Sequence, residues 1–440
     1  MIAFIIWHNT PWLTTARLSG GGSFLAIHTA FTLIPLTWLS YFLPLTKIQF
    51  FAAFCGASHA LLALGCYWLL VASYRLQSGA NVLAAAVIAI LFAFNGIALA
   101  AARNPHFELL IIGTGLLFFT ALLQGRSRLA WLCFLLCIAT REDAGLHLFA
   151  LLSVSIAFAR LQGVSFHQQR LFLAFALCAL GYSLAVITAQ HLLFPGGGSL
   201  GNVYIGVPPF AGITWPLILN RLGFYIVYRP YIFLPAAIGL AWAILCRNPF
   251  IIAGYIACIP WFLLHLFAAS PIAGTLSNYY AYPFIFALIW PLLGLLIQSR
   301  LTARPVPPTT RPILGFSLML AASFTGLASQ HNPGRINLPA SFLRPPSLMR
   351  QQATDAALQT LFTKSAFSRV LVDGSVGALD PNNYSTAQLV SSAQTERPDM
   401  IVFFARGYMA PEARAMAAHY GLSLLYEIPN TALMVATRQK

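Results

Sequence analysis

Residues 80–101 read ANVLAAAVIAILFAFNGIALAA, and this run contains no charged side chain. A helix needs about 20 apolar residues to cross the hydrocarbon core of a bilayer, a length this run meets. Comparable runs lie at 48–73, 107–123, 128–140, 142–160, 170–194, 230–246, 249–270, 278–298 and 312–329. About ten membrane spans are therefore expected, with 128–140 the shortest. The segments 24–44 and 210–228 are also apolar, but prolines and arginines interrupt them, which suits interfacial or re-entrant helices.

Composition supports the same reading. Hydrophobic residues make up 59% of the 440 and charged residues 8%, against about 25% charged in soluble domains. The acids are unevenly placed. Residues 1–350 hold only Glu108, Glu142 and Asp143, and the other seven of the ten fall between Asp355 and Glu427. Two solvents are implied, lipid for the first part and water for the second. The net charge of +15 does not point to nucleic acid, because the arginines are scattered singly or in pairs between apolar runs rather than clustered on one face. That scatter follows the positive-inside rule. With Arg75, Arg126/Arg128, Arg160/Arg170, Arg247 and Arg300/Arg304/Arg311 in the cytoplasm, the loops 102–107, Arg141–Asp143, Pro195–Ile213 and Ser270–Ser277 face outward, as does everything after 330.

All seven cysteines lie in the apolar part, so disulfides contribute nothing to the C-terminal region; Cys133 and Cys137, one turn apart with no His or acid beside them, read as small buried side chains. A Pro/Arg-rich stretch from Pro333 to Pro346 marks a boundary between a transmembrane domain, 1–335, and an extracytoplasmic α/β domain, 336–440. In the latter the pattern predicts a helix over 351–364 and a strand over Val370–Asp373. A loop over Gly374–Tyr384, a strand over Met400–Phe404 and a helix over 411–420 capped by Gly421 follow, with strands near 423–427 and 431–436. The first 23 residues, with a short apolar start and a polar, glycine-rich continuation, read as a chain beginning partway through a loop.

Polar groups at the edge of a bilayer are costly unless paired or wet, so each asks for a reason. Arg141-Glu142-Asp143 places a cation and two carboxylates between apolar runs; a helix N-terminus favours acids there, but a turn rarely needs three adjacent charges. Arg103-Asn104-Pro105-His106-Phe107-Glu108 is a second charged start to an apolar run, where Pro105 and Glu108 also suit a helix N-terminus. If the two loops converge, they supply carboxylates for a base or a metal and arginines for a phosphate. His28 follows the glycine run Gly20–Gly22, and Tyr279 and Tyr280 open a late span in Ser277–Pro283; the plain readings are a structural His and an interfacial tyrosine belt. Gly196–Gly201 lacks both the preceding strand and the Lys-Ser/Thr of a phosphate loop, and reads as a flexible external loop.

The chain resembles the bacterial and archaeal membrane family with a DUF2079 domain, grouped by fold with GT-C glycosyltransferases. The resemblance rests on Ile27-His28-Thr29 with Phe31 and Pro35, on Asn104–Glu108, on Thr140-Arg141-Glu142-Asp143, on the tyrosine-rich Ser277–Pro283, and on Val370–Asp373 with Arg397–Val402. It departs from the family at Thr29-Ala30, where Phe-Ser is usual. It also lacks an acidic loop after a first helix, since no acid precedes Glu108. The resemblance implies an α-helical polytopic fold, GT-C-like, in the plasma membrane of a bacterium, with a polyprenyl-phosphate-linked sugar as donor. Glu142, Asp143 or Glu108 would then act as base or bind a divalent cation, Arg103 and Arg141 would hold the phosphate, and His28, His106, Tyr279 and Tyr280 would line the substrate. Two other classes stay open: a transporter or lipid flippase, for which an inverted repeat would be expected, and a non-catalytic or degenerate scaffold of the same family.

Overall fold

The computed structural model describes residues 25, 28–45, 47–102, 107–194, 200–206, 208–270, 273–276, 278–302, 309–326, 353–354, 356–358, 360–361, 370–372, 387–389, 397–405 and 410–438. The helices are α1 Leu33–Phe42, α2 Lys47–Trp68, α3 Gly79–Ala93, α4 Gly96–Ala102, α5 Leu109–Leu123, α6 Ser127–Ile138, α7 Ala144–Leu161, α8 Arg170–Leu193, α9 Trp215–Tyr228, α10 Pro230–Leu245, α11 Ala253–Ala257, α12 Ile259–Leu266, α13 Pro283–Thr302, α14 Thr310–Ala322 and, far along the chain, α15 Ala410–His419. Five stretches are helical, long and apolar enough to cross a membrane: Ala53–Ser73, Gly79–Ala100, Ala144–Leu161, Arg170–Leu193 and Pro283–Thr302. The bent pair α9 and α10, which meet at 85°, makes a sixth if counted as one span. This is the architecture of a multi-pass membrane protein.

Not every apolar run becomes one long helix. The run 249–270 is divided into a 3₁₀ turn at Pro249–Ile251, α11 and α12, with a proline at the first turn of two of these pieces, where a missing N–H is harmless. Runs 107–123, 128–140 and 312–329 form helices of 15, 12 and 13 residues, short for a full crossing. Segment 210–228, expected at the interface, becomes the sharply angled α9.

The larger of two units comprises Ala26–Thr32 and Ala53–Ile336. Its centre is α13, whose residues are buried on nearly all sides. Aromatic rings fill the space around it: Phe119 meets Trp290 edge-on at 5.3 Å, and Phe118 packs on Phe134 and Phe175 at 5.4 and 4.9 Å. In lipid, helices gain little from apolar burial alone, so close backbone approach at small residues matters more. A Cβ on Gly145 would collide with the Ala179 carbonyl, and one on Gly96 with the Ser323 carbonyl.

Hydrogen bonds tie the helix ends into two polar layers. At one end, Arg300 Nη1 donates to Leu123 O at 3.2 Å, Asn248 Nδ2 to Gln298 Oε1 at 2.7 Å, and Gln298 Nε2 to Gln162 Oε1 at 3.4 Å. Arg126, Arg160 and Arg247 border the same layer. The other end gathers the start of α5, the loop between α6 and α7, and the start of α13. There α9 and Arg229, which follows it, hold the end of α12 and the segment beyond: Arg221 Nη1 donates to Leu266 O at 2.7 Å, Tyr225 Oη to Gly274 O at 2.6 Å and Arg229 Nε to Thr275 O at 3.0 Å. Gly326, where the described part of this unit ends, packs on Pro230 at that end too.

The second unit contains a five-stranded sheet in the order β2-β1-β3-β5-β4, with β1 Val370–Val372, β2 Ala387–Leu389, β3 Met400–Phe404, β4 Leu424–Glu427 and β5 Leu433–Thr437. β1 pairs parallel with β2 and β3; β5 pairs antiparallel with β3 and β4. Alternate residues of β3 face opposite cores: Ile401 and Phe403 pack under α15 with Ala413 and Ala417, while Met400 and Val402 pack with Leu358 and Val435. Gly421 has φ +66°, the left-handed conformation expected just past a helix end. Strand β2 falls outside every strand expected from sequence. The expected loop 374–384, the boundary 333–346 and the first 23 residues lie outside the described residues.

Gly96→Ala is expected to lower the melting temperature in detergent by several degrees, since the new methyl meets a backbone carbonyl that cannot swing aside. Gly223→Ala, with open space around it, is the matched control and should leave the melt unchanged or raise it.

Candidate functional site

The site is assembled from three chain segments that meet at the end of the helical unit away from Arg126 and Arg300. Glu108 immediately precedes α5, Arg141–Asp143 join α6 to α7, and His28–Thr29 come from the short segment Ala26–Thr32. Neither acid at a helix start acts as a cap: α5 follows Glu108, and α7 follows Asp143, without a side-chain capping bond. Their carboxylates turn to Arg141 instead.

Arg141 is the hub. Its Nη1 pairs with Glu108 Oε1, its Nη2 donates to Asp143 Oδ2 at 2.7 Å, and its Nε lies 3.7 Å from Glu142 Oε1. Glu142 faces the other way as well, accepting from Thr29 N–H through Oε2 at 2.8 Å and meeting His28 Nδ1 through Oε1 at 2.9 Å. Asp143 Oδ2 lies 3.8 Å from His147 Nε2, one turn into α7. Adjacent residues 142 and 143 therefore each face a histidine, on either side of one guanidinium. Burying charge is costly unless it is paired, and the pairing fixes the ionisation. Burial opposes charge on Arg141, yet Asp143 and Glu142 outweigh it and raise its pKa. Burial likewise works against ionised Glu142, but the His28 hydrogen bond and the nearby charges bring its pKa below the ordinary value. Asp143 is held well below the usual carboxylate range, burial being overcome by Arg141 and then His147.

Around this lies an aromatic wall. Trp261 on α12 sits with its ring centroid 5.9 Å from the Arg141 guanidinium, and His147, His265 and Tyr282 meet the ring edge-on at 4.8, 4.6 and 6.2 Å. Tyr204 and Tyr280 pack on His265 at 5.2 and 5.0 Å, and Trp261 Nε1 donates to Tyr280 O at 2.9 Å.

The structure thus brings together His28, Glu108, Arg141, Glu142 and Asp143, with Tyr280 in the adjoining wall. Two of these residues are deeply buried. Glu108 is fully buried and pairs with Arg141 as its counter-ion. Arg141 is 5% exposed and flanked by carboxylates. Arg103 and His106 lie outside the described residues, as does the side chain of Tyr279. Among the described residues no group of three or more His, Cys, Asp and Glu side chains could hold a metal ion. His147, Trp261, His265, Tyr204 and Tyr282 were not singled out from sequence. The signal was present for three: His147 stands four residues after Asp143, and His265 four after Trp261, the spacing that puts two side chains on one helix face.

No protein-family model matches the chain, and neither a curated protein nor a solved structure is similar to it.

The depressed carboxyl pKa values set a sign for acid stability. A carboxylate with a lowered folded pKa contributes stability above its unfolded value, about 4, and loses it as pH falls through the folded value. Asp143→Asn is therefore expected to lower the melting temperature at neutral pH and to lessen the further drop on acidification below about pH 4. An acid drop as steep in the variant as in the parent would contradict this.

Proposed function

We propose that the chain is a membrane glycosyltransferase of GT-C type. It would transfer a sugar from a polyprenyl-phosphate donor on the extracytoplasmic side of a bacterial plasma membrane. The observation that carries the reading is Glu142: an ionised carboxylate, held by the Thr29 amide and by His28, at one polar end of an apolar helical unit. A lipid-linked donor suits that position, because its carrier stays in the bilayer while its headgroup reaches the helix ends, and no nucleotide-binding domain is required.

In this mechanism the acceptor hydroxyl gives its proton to Glu142 as its oxygen forms a bond to the anomeric carbon. The bond from that carbon to the phosphate oxygen breaks, and its electron pair leaves with the lipid phosphate. His28 is a positioning residue that fixes the carboxylate, while Arg141, Glu108 and Asp143 brace the loop carrying it, so the orientation is set before the substrate arrives. The arginine-bordered layer at the opposite end supports a cytoplasmic assignment for that end and an external one for the Glu142 end.

Membranes carrying the chain are expected to move label from a polyprenyl-phosphate sugar to an acceptor. Glu142→Gln should reduce transfer by about a hundredfold or more with insertion unchanged, and His28→Ala by less. Absence of transfer from every polyprenyl-phosphate sugar supplied would overturn the assignment.

A further inference from the structure

We propose that α9 is an in-plane anchor: it lies along the polar layer at the Glu142 end, with its outer face seated in the headgroup–acyl boundary of that leaflet. The direction of the helix follows from α10. Arg229, immediately before α10, donates to Thr275 O in that layer, and Asn248, just beyond its end, donates to Gln298 in the opposite layer. α10 therefore runs from one polar layer to the other. α9 meets it at 85°, and so runs along the layer instead of across the bilayer. Its 14 residues, about 21 Å of helix, are also too few to cross about 30 Å of hydrocarbon.

The two faces of α9 are reversed relative to a surface helix of a water-soluble protein. The inner face is polar: Arg221 and Tyr225, one turn apart, donate to Leu266 O and Gly274 O, which fixes the roll of the helix. The outer face is apolar. Trp215, Leu219, Ile226 and Val227 are 71, 58, 74 and 62% exposed, and Gly223 among them has open space around it. At 3.6 residues per turn these five positions share an arc of about 120°, which carries no charge, with Asn220 at its margin as the sole amide. Water would leave such a stripe uncovered, whereas a helix lying at a bilayer boundary buries it among acyl chains. Trp215 opens the stripe at the level where tryptophan prefers to sit. The stripe also continues a lipid-facing surface, because Leu234, Ala237, Leu240 and Ile244 of α10 are exposed three or four residues apart. A second copy of the chain fits the stripe poorly: a strip about 21 Å long and about 10 Å wide offers roughly 200 Å², against about 800 Å² per partner in a stable interface.

The test uses the full chain in bilayers of phosphatidylcholine and phosphatidylglycerol. A fluorescent noncanonical amino acid is placed singly at Leu219, Ile226, Ala237 and Ile244, and its depth is read from quenching by phospholipids spin-labelled either near the headgroup or near the chain end. Leu219 and Ile226, seven residues apart on α9, should lie at one depth and be quenched more by the headgroup-proximal label. Ala237 and Ile244, equally spaced on α10, should differ in depth by about 10 Å. A difference of about 10 Å across the α9 pair would make α9 part of a span and overturn the proposal. So would absence of quenching at both α9 positions, the result for a face covered by water or by protein. The unmodified chain gives a second reading that no label can disturb. Phospholipids with a diazirine beside the headgroup should tag the peptide containing Trp215–Val227 several-fold more than those with the diazirine at the chain end; equal or reversed tagging would contradict an in-plane seat. Neither measurement depends on sugar transfer, so the anchor and the enzyme assignment stand or fall separately.

Discussion

The guanidinium of Arg141 held between Glu108 and Asp143 is the contact on which the polar end of the molecule depends. It fastens the start of α5 to the loop between α6 and α7, two points separated by two helices in the chain. Without it, three carboxylates would share a poorly solvated space, and at least one would have to take a proton or leave. With it, Glu142 is free to turn toward His28 and Thr29, and Asp143 toward His147. The same hub therefore sets both the ionisation of the acids and the direction in which each faces.

Packing and electrostatics divide the work in this fold. The middle of the helical unit is held by ring-on-ring contacts around α13 and by close approaches such as Gly96 on Ser323 and Gly145 on Ala179, which need no polar atom. The two ends are held by hydrogen bonds and ion pairs, which water and headgroups tolerate and hydrocarbon does not. One end carries scattered arginines and amides, the other the acids, histidines and tyrosines.

Much of the architecture was legible in the sequence because it follows from length, hydropathy and turn chemistry. Run 170–194 gives Arg170–Leu193 within a residue, Met400–Phe404 forms a strand over the residues expected, and Gly421 caps α15. The division of 249–270 into three pieces was not legible from hydropathy alone; the prolines at 249 and 260 are compatible with either helix starts or a kink. Strand β2 at Ala387–Leu389 was missed because three residues between Gly- and Ser-rich stretches carry no period. The site was half legible. Charged residues in a membrane-like run announce themselves, so Glu108, Arg141, Glu142 and Asp143 stood out, but which acid pairs with the arginine and which faces a substrate is decided by tertiary approach. Trp261 and His265 sat within an apolar run where one aromatic and one histidine look like ordinary core, and only the folded arrangement sets them beside Asp143.

A double-mutant cycle on Glu108 and Arg141, read as thermal unfolding of the purified chain, probes the hub most directly. Glu108→Gln and Arg141→Gln should each destabilise strongly, by about 3–5 kcal/mol where a buried charge loses its partner, and the double variant should be far less damaged than their sum, with a coupling of about 2 kcal/mol or more. Simple additivity of the two changes would mean that the pair does not organise this end of the protein, and the site built on it would have to be abandoned.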